Sequence, residues 1–200
     1  MSRKLREKID TPETLYHIVC RGVNQCRTFR ASRDYKKFLN ILRKAKKKFD
    51  FYLYSLNLLP NHFHLLIEVK QVSISKIMHF INTCYSGYFN RRYKRHGHFF
   101  QDRFFSAPVT NEFYFWAVSA YVDLNALRAG LVKKLEDYKW SSFQFYCEKE
   151  YKDNLIDRER FLRYGGKGSI EKLRQDYIKF VREESKNPKR PKFIKSEKFI

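Results

Sequence analysis

Residues 56–69 read LNLLPNHFHLLIEV, two apolar runs on either side of an Asn-His-Phe-His centre. In an extended strand successive side chains alternate between faces, so His62 and His64 share one face while Phe63 and Leu65 enter the opposite layer. Two imidazoles side by side can offer two nitrogen ligands to one divalent cation, leaving other positions to water, a further side chain or a phosphate oxygen. Two ligands do not close a site, so a third must come from elsewhere in the chain. The plain structural alternative for a His-x-His is a pair of half-buried histidines hydrogen-bonded in a sheet. The surrounding sequence has to decide between them.

The 200 residues are 43% hydrophobic and 18% aromatic, enough for one compact main domain with a proper core and a tail or small appendage. Lysine and arginine number 42 against 21 acidic residues, a formal charge of +21 that concentrates polyanions, nucleic acid first among them. A membrane surface would also attract that charge, but no apolar run approaches the roughly 20 residues needed to span a bilayer, and no membrane partner is expected. Residues 1–10, MSRKLREKID, are charged and lack the apolar core of a secretory signal, which points to the cytoplasm. Cys20, Cys26, Cys84 and Cys147 form no CxxC pair and read as free thiols.

Residues 14–21 (TLYHIVCR) form a β-type run ended by Gly22. Ser32 can cap a helix reaching about Phe49, with Tyr35, Phe38, Leu39, Leu42, Ala45 and Phe49 at helical spacing and lysines on the other side. Residues 51–59 and 62–69 are two strands joined at Pro60-Asn61, which predicts an antiparallel hairpin carrying both histidines. Ser73 caps a second long helix that Gly97 should end, residues 104–109 make a fourth strand, and Asn111 caps a third helix to about Leu127. Strand, helix, strand, strand, helix, strand, helix is the split βαβ order. It predicts an α+β fold, a ferredoxin-like antiparallel sheet with helices on one face.

The third helix supplies what the hairpin lacks. In YVDLN, Tyr121 and Asn125 are four residues apart and share a helical face, with Val118 and Tyr114 one and two turns earlier. The Asn125 amide oxygen could be the third metal ligand, with the Tyr121 phenol one turn away, near any phosphate the metal holds. Such a geometry suits covalent phosphoryl transfer, in which a metal and an oriented, dry site compensate for the weak nucleophilicity of a phenol whose pKa is near 10. With 14 tyrosines in the chain, the competing reading of Tyr121 is a packing residue.

Four blocks in fixed order, LPNHFHLLIEV, SGYFNRRYKRHGHFFQDRFFSAPV, YVDLNALRAGLV and YKWSSF, closely resemble the REP-associated tyrosine transposases, relatives of the single-tyrosine insertion-sequence transposases in the HUH nuclease superfamily. The resemblance covers roughly residues 15–146 and continues more weakly through LIDRERFLRYGG and YIKFVREE. It implies that His62 and His64 bind Mg2+ or Mn2+, that Tyr121 is the nucleophile and that Asn125 is the third ligand. Members of this family cut single-stranded DNA beside a hairpin, forming a 5′-phosphotyrosine and a 3′-hydroxyl that can reverse the reaction. One departure is visible: Asn125 is followed by Ala126 where the family usually has proline.

Residues 36–48 contribute seven positive charges in thirteen positions, a run that by itself reads as a solvated helix face. Arg91, Arg92, Lys94, Arg95 and Arg103 alternate with Tyr88, Phe89, Tyr93, Phe99 and Phe100, a mixture that grips phosphates and offers rings to unpaired bases. Phe99 and Phe104 are assigned to packing, and Arg91, Arg92, Arg95 and Arg103 to phosphate contact. His96 and His98, beside a glycine, are weaker ligand candidates. The segment SKNPKRPKFIKSEKFI carries six positive charges, one negative charge and two prolines, the composition of an extended nucleic-acid arm. The organisation expected is a transposase domain at 1–150, a helical extension at 151–184 and a basic flexible tail at 185–200. The function expected is a single-stranded DNA endonuclease and strand transferase acting on REP-like hairpins, as a monomer or homodimer. The alternative is a non-catalytic DNA-hairpin or RNA binder derived from such an enzyme.

Overall fold

The structure, a computed structural model, describes residues 13–150 and 152–187. Both the charged N-terminal stretch and nearly all of the basic arm expected at 185–200 lie outside these residues.

Four strands, β1 (Leu15–Arg21), β2 (Tyr52–Leu58), β3 (His62–Glu68) and β4 (Phe105–Val109), form one antiparallel sheet in the order β2-β3-β1-β4. This is the order that a split βαβ unit produces, with β3 and β1 in the centre. Every residue of β3 is buried, and β1 is buried up to Arg21, because layers cover both faces of the sheet.

Helices α1 (Ser32–Phe49) and α2 (Ile74–Arg92) cover the face that carries Phe63. Phe38 of α1 meets the Phe63 ring at 4.6 Å and the Tyr85 ring of α2 at 5.1 Å. Burying each such aromatic contributes roughly 1.5–3 kcal/mol, so this layer forms much of the core. The third long helix, α3 (Phe115–Arg128), lies on the opposite face, where the Asn57 amide donates to the carbonyls of Val122 at 2.8 Å and Asp123 at 3.1 Å and Ser55 bonds Ser119. The expectation of helices on one face thus holds for α1 and α2. Helix α3 takes the other face because its own stripe, from Phe115 through Val118 and Val122, is apolar enough to be buried there.

Beyond α3, the short helices α4 (Phe143–Cys147) and α5 (Arg158–Arg163) lead to α6 (Ile170–Ser185). Tyr177 of α6 donates to Asp123 at 2.9 Å and shares a 2.6 Å hydrogen bond with Ser119, while Glu68 of β3 gathers Tyr54, Arg160 and Tyr164. Gly165 closes against α3 so tightly that a Cβ there would stand 1.9 Å from the Trp116 ring.

Three local boundaries differ from the sequence reading. Ser32 is the first helical residue of α1 rather than its cap; the Asp34 carboxylate instead accepts from the backbone N–H groups of Arg30 and Ala31, both at 2.9 Å. Helix α2 stops at Arg92, before Gly97, because Lys94 adopts a left-handed backbone (φ 51°) that folds Phe99 back onto Phe89 with centroids 4.2 Å apart. Asn111 does not start α3 directly: it accepts from Tyr114 N–H in a 3-10 turn, Glu112–Tyr114, and the α-helix begins at Phe115.

Candidate active site

The β1–β3 pairing sets Val19 opposite His64 and Arg21 opposite His62. Residues directly opposite share a face, and alternation adds His17 to it. His62 and His64 meet edge to face with centroids 5.0 Å apart, on the side of the sheet that α3 covers. Both are buried, His62 at 7% and His64 at 0% exposure, so they are more enclosed than the half-exposed pair a lone hairpin would carry.

Each ring has its Nδ1 engaged. His62 Nδ1 lies 2.7 Å from the Asn61 side-chain oxygen, and His64 Nδ1 lies 3.0 Å from His17 Nε2. In both rings Nε2 is the nitrogen left for a ligand, and in metal sites the second nitrogen of a ligating histidine is commonly held by an outer partner. Burial pushes His17 down to about 4. Burial, aided by the Arg21 charge, pushes His62 down to about 4 as well, so both stay neutral at physiological pH. A neutral imidazole is what a metal requires.

Tyr121 of α3 reaches this cluster from the other layer. Its ring stands edge-on to His17, centroids 5.8 Å apart, and to His64 at 6.1 Å. One turn on, the Asn125 amide nitrogen donates to the carbonyls of Tyr121 at 2.9 Å and Val122 at 3.4 Å, which turns its oxygen away from the helix backbone. Asp123 anchors the same helix from its far side: burial raises its carboxyl to about 7 against the pull of Ser142, Tyr177 and Ser141, which all donate to it. Among the described residues, no three His, Cys, Asp or Glu side chains are grouped as a metal site. Two imidazole nitrogens and a carboxamide oxygen would make a mixed nitrogen and oxygen donor set of the kind divalent cations accept.

A family model described as "Transposase IS200 like" matches residues 11–125, from just before β1 to Asn125. The chain belongs to the IS200-like transposase family. A solved structure described as a REP-associated tyrosine transposase bound to a REP hairpin aligns with this transposase over 85% of its chain and 93% of that one, at 15% identity and a TM-score of 0.64, and so shares the fold. A putative transposase from Deinococcus radiodurans aligns over 62% of this chain and 96% of its own, at 13% identity and a TM-score of 0.43. No curated protein matches the chain.

The basic segment of the transposase begins in the last turn of α2, and the loop that follows is tied to the rim of the site. Val23 N–H donates to Phe99 O at 2.9 Å and Gln101 N–H to Arg21 O at 2.9 Å, next to the strand position that faces His62. Arg91 and Arg103 are exposed, and Arg95 lies over the Phe99 ring at 5.7 Å. Arg92 is partly committed inward, 3.4 Å from the Asp34 carboxylate. Phe99 and Phe104 are buried.

Two neighbours of the site escaped the sequence reading. His17 lies in an apolar run with no motif of its own, and only the β1–β3 register brings it to His64. Arg128, whose guanidinium stands 5.5 Å from the Tyr121 ring centroid, sits seven residues after Tyr121, two turns along one helical face, a spacing the sequence does display. No helix among the described residues is long and apolar enough to cross a membrane.

Proposed function

We propose that this transposase is a metal-dependent single-stranded DNA endonuclease and strand transferase that cleaves beside DNA hairpins through a covalent 5′-phosphotyrosine. The reading is carried by one observation: two histidines with Nδ1 engaged, His62 and His64, lie on the face of the sheet against which the Tyr121 ring packs. His62, His64 and Asn125 would hold Mg2+ or Mn2+. When bound, the cation supplies Lewis-acid polarisation of the scissile phosphodiester.

Tyr121 Oη is the nucleophile. It forms a bond to phosphorus as the bond from phosphorus to the 3′-oxygen breaks; the phenolic proton passes to solvent, and the departing oxygen takes one up to become a 3′-hydroxyl. Strand joining is the reverse attack by a 3′-hydroxyl, which releases the tyrosine. Arg91, Arg95 and Arg103, with Arg92 in a lesser role, grip the backbone from the last turn of α2 and the loop tied to β1, and the net charge of +21 draws the polyanion in. The relative solved with a REP hairpin makes a hairpin in single-stranded DNA the substrate to try first. On this reading the protein works at the nucleoid, in the cytoplasm.

The test is incubation of end-labelled hairpin oligonucleotides with Mn2+ or Mg2+. The reading expects scission at one position beside the hairpin, a free 3′-end that a polymerase extends, and a 5′-end blocked by protein. Tight hairpin binding without scission in either metal would favour the non-catalytic binder.

A further inference from the structure

His17 is a buried polar residue that the proposed chemistry leaves without a task. It is 3% exposed, its ring plane lies within 7° of that of His64 with centroids 5.3 Å apart, and its Nε2 lies 3.0 Å from His64 Nδ1. It also meets the edge of the Tyr121 ring. Only one proton can lie between two ring nitrogens at that distance, so the pair has two arrangements. If His17 donates, His64 keeps its proton on Nε2 and cannot ligate through that atom. If His64 donates, its Nε2 carries a lone pair.

We propose that His17 is a positioning residue that accepts the Nδ1–H of His64, so fixing His64 in the tautomer whose Nε2 can bind a metal and holding its ring between β1 and Tyr121. The proposal rests on the metal-site reading above. His62 provides the parallel within the same site: its Nδ1 faces the Asn61 side-chain oxygen, an acceptor, and so carries the proton. His17 gives His64 the same polarity by a different residue type, and it does so from β1, across the strand pair. The strand register is what makes this possible, since Val19 sits opposite His64 and His17 is the next residue on that face. Outer partners of this kind typically change metal affinity about 10–100-fold when removed.

The test uses the full-length protein and two variants. In His17→Leu the acceptor is lost while a similar volume of apolar side chain remains; in His17→Gln the side-chain oxygen can accept in place of Nε2. Nitrogen-15 NMR of the metal-free wild type should show His64 protonated on Nδ1, and Mn2+ titration should give His17→Leu an affinity at least about tenfold weaker, with His17→Gln restoring most of it. A wild-type His64 protonated on Nε2 overturns the proposal, whatever the variants do. So does Mn2+ affinity in a folded His17→Leu equal to wild type while His62→Ala loses binding, a result that leaves the metal site itself standing. If the wild type binds no Mn2+, the metal-site reading falls and this proposal with it.

Discussion

The ring of Tyr121 stands edge-on to that of His64, centroids 6.1 Å apart and planes 81° from parallel. Tyr121 is only 2% exposed, so the residue is at once part of the packing between α3 and the sheet and a phenol ring in edge contact with His17 and His64. Packing and the proposed chemistry can be separated only by a substitution that keeps the ring. The same holds for the proposed ligand His64, which is fully buried, and less for His62, at 7% exposure nearer the strand end.

Metal binding should therefore be tested first at His62. His62→Ala is expected to remove most of the heat of Mn2+ binding in calorimetry, with a far smaller fall in melting temperature than His64→Ala, which opens a cavity beneath Tyr121 and His17. An unchanged Mn2+ isotherm in His62→Ala would remove His62 from the ligand set.

The shared face of His62 and His64 was legible because strand alternation needs no partner to be known, and the pairing of Tyr121 with Asn125 because helical spacing is equally local. What lay beyond the sequence depends on how elements meet. The side of the sheet that α3 covers follows from Asn57 and Ser55 reaching Val122, Asp123 and Ser119 across more than sixty residues. The contact of His17 with His64 spans 47 residues and rests on the register of β1 against β3. Asp34, in the first turn of α1, collects partners from the far end of α2 that no local pattern announces.

Asp34 yields a prediction about acid stability. Burial alone would raise its carboxyl, but hydrogen bonds from Tyr93, Tyr88 and the amides of Arg30 and Ala31 outweigh that and hold it below the usual carboxylate range. A lowered folded-state pKa means stability that is fully present above the unfolded value and lost as pH falls through the folded one. Asp34→Asn should lower stability at neutral pH by about 2 kcal/mol, the scale of hydrogen bonds to a charged group, and should make urea midpoints depend less on pH across the acid range. Equal pH dependence in the two proteins would show that Asp34 is not the group responsible.

Binding to DNA should fall steeply with salt. Deleting residues 188–200, which carry five positive charges and leave α6 (ending at Ser185) intact, is expected to flatten the plot of log affinity against log salt by about one unit for each phosphate that the arm neutralises. The position of cleavage should stay where it is. A truncated protein with the full-length slope would make the arm a bystander.

Asn125 and Tyr121 should fail differently. Asn125→Ala is expected to weaken Mn2+ binding and slow cleavage while still yielding product at high Mn2+, because two histidines and water can retain the ion. Loss of all cleavage with Mn2+ affinity unchanged would assign Asn125 a role other than ligation.

The central claim is that the Tyr121 oxygen becomes bonded to DNA, and it is tested most directly by mass spectrometry of the protein after reaction with a hairpin oligonucleotide in Mn2+. Wild type should carry a nucleotide adduct that survives heat and detergent and maps to the peptide containing Tyr121. Tyr121→Phe, which removes one oxygen and keeps the ring against His17 and His64, should bind the same hairpin and Mn2+ and carry none. An adduct of undiminished yield on Tyr121→Phe, mapped to Tyr114 or to Tyr85 or Tyr88 of α2, would contradict the account.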